Sequence, residues 1–260
     1  MVGEEWSTNP NIVSYWQKGK INHDGYISSM PSMMDFPGYE ALRQSLVEAE
    51  SYNGGLNKLY ESIANDFLYP NADNLVIFEG NHDTSRLFSA LNEDINLYKM
   101  AMVYLCTMRG IPQMTYGTEI LMRSPKQRDD GKVRADMPGG WQGDRSNAFT
   151  GAGLSNMQKD AQDFLKKLLN WRKNNAVIHQ GKLMHFAPDR GTYVYVRYDD
   201  KKKIMVVINK NTETVNLQTS RFHEMLTPTS TATEVLSGKK FDLSHTISLP
   251  ARSVSILAID

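Results

Sequence analysis

Cysteine is almost absent from this chain: Cys106 is the single one in 260 residues, so no internal disulfide can form and the redox compartment stays open. It sits in the apolar helical run 100–106 and reads as an inert core thiol. An excess of either charge is missing too. Lys plus Arg is 29 and Asp plus Glu is 29, which gives nothing to draw the chain to nucleic acid or an anionic membrane. No apolar stretch approaches the ~18 residues of a membrane span, and the acidic, aromatic first residues do not resemble a secretion signal. Neither a phosphate-binding Gly-rich loop nor a Schiff-base lysine at a strand end is found, which argues against an isomerase or aldolase. Low-complexity segments and internal repeats are also lacking. An apolar share of 40% with 22% charged residues supports a packed core.

What is present is an alternation. Val2-Gly3 reads as the end of a buried strand, 12–17 as a short helix, 25–30 as a second strand and 31–37 as a loop. A helical stretch starts at 39, and another covers 56–68 with Leu56, Leu59, Ile63 and Phe67 on one face. Residues 75–78 read as a third strand, 96–108 as helix, 113–116 as a fourth strand and 156–174 as the last helix. Strand–helix units in this order predict an α/β fold, a parallel sheet with crossover helices amounting to half of an eight-stranded barrel over 1–181. From 182 the texture changes to short β-type runs at 185–187, 192–198, 204–209, 214–217, 223–226, 232–236 and 253–259. Turn clusters separate them, which predicts an all-β antiparallel sandwich over 182–260 with its own core, folding independently.

Two acidic motifs end apolar runs. Retaining glycoside hydrolysis needs one carboxylic acid to protonate the leaving oxygen and one carboxylate to attack the anomeric carbon. Glu4 or Glu5 could be the acid, with Trp6 as the aromatic neighbour that raises its pKa; an ordinary acidic turn is the other reading. Asn81-His82-Asp83-Thr84 follows a buried strand, so His82 and Asp83 would point at a barrel mouth and hold ring hydroxyls by charge-assisted bonds. Alternatively, Asp83 caps a turn with Thr84. A metal site of His82, Asp83, His23 and Asp24 has no supporting ligand spacing. Arg134 and Trp141 lie in the long loop after the fourth strand, which faces the active site of a barrel. Trp141 either stacks on a sugar ring or anchors its own loop. Met33, Met34 and Phe36 either line a sugar subsite or pack softly.

Read together, these segments resemble the carboxyl-terminal part of the α-amylase family, glycoside hydrolase family 13, and within it neopullulanase- and cyclomaltodextrinase-like members. Val2-Gly3-Glu4-x-Trp6 resembles the fifth-strand motif, and Phe78-Glu79-Gly80-Asn81-His82-Asp83 the seventh. Gly110-Ile111-Pro112 with Tyr116-Gly117-x-Glu119 resembles the eighth, and Leu168-Leu169-x-Trp171-Arg172 resembles the last barrel helix before the domain C sandwich. Glu79-Gly80 departs from the small polar residues of many members. The resemblance implies strands five to eight, Glu4 as acid/base, and Asp83 with His82 as the residues that bind and distort the sugar. Asn81, Trp6, Trp141 and Arg134 join them as substrate-binding candidates, with an α-glucan oligosaccharide as partner.

No cofactor is implied by these segments, and a calcium site of the family would lie upstream. The family's nucleophile, an Asp on the fourth strand, falls in a segment this chain does not contain, so the 260 residues alone are expected to be inactive. A signal region is likewise not in the chain, and periplasmic or extracellular placement of the parent stays open. Unpaired half-barrel edges imply a homo-oligomer. A carbohydrate-binding or interaction module is the rival reading; the tryptophans all precede residue 172, which argues against a binding face on the sandwich.

Overall fold

The computed structural model describes residues 1–127 and 129–260. Strands β1 (Val2–Gly3), β2 (Ser32–Met33), β3 (Val76–Phe78) and β4 (Ile111–Gln113) carry the first part of the chain. β1 pairs in parallel with β2, and β3 with β4. A parallel bridge between Met34 and Val76 joins the two pairs into one curved sheet. Helices α1 (Pro10–Tyr15), α2 (Phe36–Val47), α3 (Asn57–Ala64), α4 (Leu87–Ala90) and α5 (Ile95–Thr107) fill the crossovers. After β4 come α6 (Asp130–Val133), α7 (Asn156–Lys173) and α8 (Ala176–Gln180). This is the half-barrel, with Val2 and Ile111 on its two outer strands about half exposed.

Glycine sets the approach of the strands at both ends of this sheet. A Cβ on Gly3 would lie 2.8 Å from Met33 Sδ, and one on Gly110 would lie 2.8 Å from the Leu75 carbonyl oxygen. Gly110 also has φ +101, a left-handed backbone that favours glycine.

The second strand is not at 25–30. Tyr26 and Ile27 are exposed, whereas Ser32, Met33 and Met34 are buried, so burial selects the segment that the sequence pattern assigns to a loop. The fourth strand likewise begins earlier, at Ile111. Helix 56–68 is shorter than its periodicity predicts. α3 ends at Ala64 and a 3-10 turn, Asn65–Leu68, swings Phe67 out to 81% exposure.

The last part of the chain is all β. Strands β5 (Lys182–Asp189), β6 (Thr192–Tyr198), β7 (Lys203–Asn209), β9 (Thr231–Glu234), β10 (Lys240–Asp242) and β12 (Ser253–Ile259) form one antiparallel sheet in the order β10-β9-β12-β7-β6-β5. A second sheet pairs β8 (Val215–Gln218) with β11 (Thr246–Leu249). Between the sheets lie Val194, Val196, Met205 and Val207 against Leu217, Ile247 and Leu249. The run 223–226 is no strand: Phe222, Met225 and Leu226 plug this core from a turn. β10 and β11 alternate polar and apolar residues, but over three and four residues the pattern is too short to stand out in the sequence.

The opposite face of the large sheet is not free. Tyr193, Tyr195, Ile204, Val206, Ile208 and Ile256 share a core with α5, α7 and α8. Tyr195 Oη lies 2.6 Å from Thr107 Oγ1, and Lys210 Nζ donates to the carbonyls of Ser45 and Glu48 at 2.7 Å each. Cutting at 182 would uncover that face, so independent folding of the sandwich is not what this packing supports. α5 explains itself in the same way. From Met100 to Cys106 it is apolar on all sides because strands, α7 and the sandwich surround it.

Candidate active site

Because β1 to β4 are parallel, everything that follows their last residues lies at one end of the sheet. Glu4 leaves β1 there, and the segment from Glu79 to Asp83 leaves β3 there. Such an end is where barrel enzymes place their chemistry.

The turn after β3 is fixed by its own side chains. The Asn81 N–H donates to Thr84 Oγ1 (2.9 Å), and the Asp83 N–H donates to Asn81 Oδ1 (2.9 Å). Asn81 is buried and its carboxamide oxygen serves the turn. Thr84 therefore bonds Asn81, which leaves the Asp83 carboxylate for other work. Its Oδ1 accepts from Arg134 Nη2 at 2.7 Å, and its Oδ2 lies 3.2 Å from His82 Nε2. Arg134 also donates Nε to the His82 carbonyl at 3.0 Å. The long loop after β4 thus folds back across the Asp83 turn.

Arg86 anchors that loop from below. It is buried, donates Nε to the Val133 carbonyl at 2.9 Å and Nη1 to the Tyr116 carbonyl, and lies 4.6 Å over the Tyr116 ring. Val133 precedes Arg134, so the guanidinium of Arg86 sets where that of Arg134 can reach. Trp141 is 68% exposed. Asp144 Oδ2 accepts from the N–H groups of Gly139 and Trp141 (2.7 and 3.1 Å), which shapes a tight turn and holds the Asp144 carboxyl below its usual range. The indole is displayed rather than folded onto its own loop.

Around Glu4 the surroundings are aromatic. Trp6 stacks on Phe36 (5.1 Å between centroids), Phe36 meets Phe78 edge-on (5.0 Å), and Phe78 stacks on Tyr39 (4.9 Å). Met33, Met34 and Phe36 are buried, and Met34 packs with Phe36 and Phe78 in one apolar cluster. Glu4 is exposed and, with Glu5, lines a cavity of about 350 Å³. Among the described residues no three His, Cys, Asp or Glu side chains gather as metal ligands do. His23 and Asp24 lie in the β1–β2 crossover, where Asp24 accepts from Tyr15 Oη at 2.7 Å.

In the sequence Glu79 stands out only as a departure from a motif, yet it is the most perturbed carboxyl beside the site. It is buried at 2% exposure, and its Oε1 accepts from the Thr115 N–H and Thr118 Oγ1, both at 2.8 Å. Burial pushes its pKa up to about 7 from 4.5, against the pull of those two bonds and of Arg86. Unfolded, the group ionises near its ordinary value; folded, it keeps its proton to about pH 7. The unfolded chain binds fewer protons in that window, so the group costs stability as pH rises through it, with the full cost above pH 7. The amide oxygen of a glutamine at this position can accept both bonds. Glu79→Gln is therefore expected to stabilise the fold at pH 8 by roughly 1–3 kcal/mol and to leave it unchanged near pH 4. Urea unfolding at the two pH values measures this, and an effect equal at both would contradict it.

Comparison with known proteins follows this geometry. The family model described as alpha amylase, catalytic domain, matches residues 1–177, and that of the cyclo-malto-dextrinase C-terminal domain matches 183–258. The cyclomaltodextrin glucanotransferase of Thermoanaerobacterium thermosulfurigenes is 27% identical over 234 residues, covering 90% of this chain and 29% of that enzyme. The maltogenic alpha-amylase of Bacillus acidopullulyticus is 27% identical over 154 residues, 57% of this chain and 24% of that enzyme. Among solved structures, an alpha-amylase from Geobacillus thermoleovorans complexed with acarbose matches with a TM-score of 0.77 and 23% identity, over 100% of this chain and 53% of that one. The chain spans less than a third of the length of these two curated relatives.

Proposed function

The chain belongs to the α-amylase family, and on that premise we propose that it carries the acid/base and sugar-distorting half of an enzyme that cleaves α-glucosidic bonds. The substrate is an α-glucan oligosaccharide. Glu4 gives its proton to the leaving glycosidic oxygen as a carboxylate attacks the anomeric carbon, and a covalent glycosyl-enzyme forms. Glu4 then takes a proton from water, or from a sugar hydroxyl in transfer, as that oxygen displaces the carboxylate. Asp83 and His82 hold the hydroxyls of the distorted ring. Arg134 keeps the Asp83 carboxylate oriented, and Trp6 and Trp141 offer faces to neighbouring sugars. The attacking carboxylate comes from barrel strands outside these 260 residues.

The observation that carries this reading is the parallel sheet that delivers Glu4 and Asp83 to one end. No comparable support exists for a binding module on the sandwich: among the described residues, the large exposed apolar side chains end at Met157. Joined to the upstream half of its barrel, the chain is expected to turn over maltooligosaccharides but not cellooligosaccharides. Loss of that preference would sink the reading.

The outer strands β1 and β4 each have one neighbour in the sheet, and the 260 residues alone are expected to associate through them. Light scattering tests this; a monodisperse monomer is the contrary result.

A further inference from the structure

Asn53-Gly54 is the single Asn-Gly pair in the 260 residues, and the fold leaves it in a turn between α2 and α3. Ser51 and Gly54 close that turn through an isolated antiparallel bridge, in which the Gly54 N–H donates to the Ser51 carbonyl at 3.4 Å. A bond of that length is weak. Asn53 is exposed, and its carboxamide has no hydrogen-bond partner among the described residues. Other asparagines are tied down: the side chains of Asn57, Asn65, Asn74, Asn170 and Asn175 each donate to a backbone carbonyl.

Glycine at position 54 matters twice. The turn requires it, since a Cβ there would lie 2.7 Å from Ser51 Oγ. It also leaves the Gly54 nitrogen with no side chain to shield it or to restrict rotation of the backbone toward Asn53 Cγ.

The turn belongs to a loop that fastens the half-barrel to the sandwich. Glu50 forms an ion pair with Lys210, which also donates to the carbonyls of Ser45 and Glu48 (2.7 Å each). The Glu50 carboxylate accepts the Leu56 N–H as well, at 3.3 Å to each oxygen. Asn57 Nδ2 donates back to the carbonyls of Ser51 (2.8 Å) and Tyr52 (3.3 Å). The spacing of residues 50–57 is therefore fixed from both ends, with Asn53 between them.

We propose that Asn53 is a site of spontaneous deamidation, and that its isoaspartyl product loosens this fastening. The Gly54 backbone nitrogen, once it has lost its proton, attacks Asn53 Cγ. The new N–Cγ bond closes a five-membered succinimide, the Cγ–Nδ2 bond breaks, and the side-chain nitrogen takes up a proton and leaves as ammonia. Water then opens the ring. Addition at Cγ gives an ordinary aspartate, whereas addition at the main-chain carbonyl gives isoaspartate, with the chain now running through Cγ. The isoaspartyl form adds one carbon to the main chain between Ser51 and Gly54, a length that the closed turn cannot absorb. Water is the sole co-reactant, so the step is independent of the carbohydrate chemistry.

Incubation of the 260-residue protein in mildly alkaline buffer, with peptide mass mapping and isoaspartyl methyltransferase labelling, tests this. Asn53 is expected to convert from amide to acid ahead of every other asparagine. Its rate is expected to lie within about tenfold of that in a free peptide of residues 50–57, because one long hydrogen bond holds the Gly54 N–H. Asn53→Gln, whose ring closure would be six-membered and far slower, is expected to remove the labelling and to keep its urea midpoint on incubation. The incubated wild type is expected to unfold at lower urea than fresh Asn53→Asp, which carries the new charge without the added carbon. Conversion at Asn53 no faster than at other asparagines would overturn the site, as would a native rate more than about a hundredfold below that of the peptide. Equal midpoints for the incubated wild type and fresh Asn53→Asp would overturn the loosening.

Discussion

Glu4→Gln, in the enzyme completed by its upstream barrel half, is expected to lower kcat on maltooligosaccharides about a thousandfold, within the range for removing a general acid. The substitution keeps the size of the side chain and removes its transferable proton. Glu4 is exposed, so the fold has no stake in its charge and the loss reads chemistry alone. A glycosyl fluoride, whose leaving group needs little protonation, is expected to lose far less in the first step than a natural glucan. Glu5 lines the same cavity and is the necessary control, because the sequence leaves the choice between the two open. Glu5→Gln is expected to cost less than tenfold. A reversed order of the two variants would move the acid to Glu5.

Arg109→Met is expected to destabilise the protein by about 3–5 kcal/mol, a large share of the stability of a typical domain. Arg109 is buried and donates Nη1 to Asp35 Oδ2 (2.8 Å), Nε to Asp66 Oδ2 (2.9 Å) and Nη2 to Asp66 Oδ1 (2.6 Å). Burial works against its charge, but Asp35 and Asp66 outweigh that and hold it above its usual range. On Asp66 burial wins, and its carboxyl is held above the usual range despite the guanidinium. Methionine fills much of the same space and leaves Asp35, at 2% exposure, without its cation. Asp35 also caps α2 through the Gly38 N–H (2.9 Å), so the cost reaches the joint between β2 and its helix. Adding Asp35→Asn and Asp66→Asn is expected to recover part of the loss. Urea unfolding of the single and triple variants measures both, and a change under 1 kcal/mol would show that the triad is dispensable.

The elements legible in the sequence are those whose burial is of one kind. α5 is apolar all round from Met100 to Cys106, α7 has an amphipathic face behind a Ser155–Gln158 capping box, and β6 and β7 hold the apolar runs 193–196 and 204–208 because both of their faces are covered. β2 escapes a sequence reading because its two residues form a strand only by pairing with β1, whereas the exposed Tyr26-Ile27 upstream has the higher strand propensity. In the site, Glu4, His82 and Asp83 are visible as polar residues at strand ends. Arg134 is visible only as a loop position, since its contact with Asp83 spans 51 residues. The burial of Glu79 leaves no local mark, because Thr115 and Thr118 come from the exit of the next strand.

Maltooligosaccharide turnover by the 260-residue protein alone, set beside the same protein supplied with the upstream half of its barrel, tests the central claim most directly. The account predicts no turnover above background from the first and activity from the second, abolished by Glu4→Gln. Robust turnover by the 260 residues alone would mean that the attacking group lies among them, and would contradict the assignment of roles to Glu4 and Asp83.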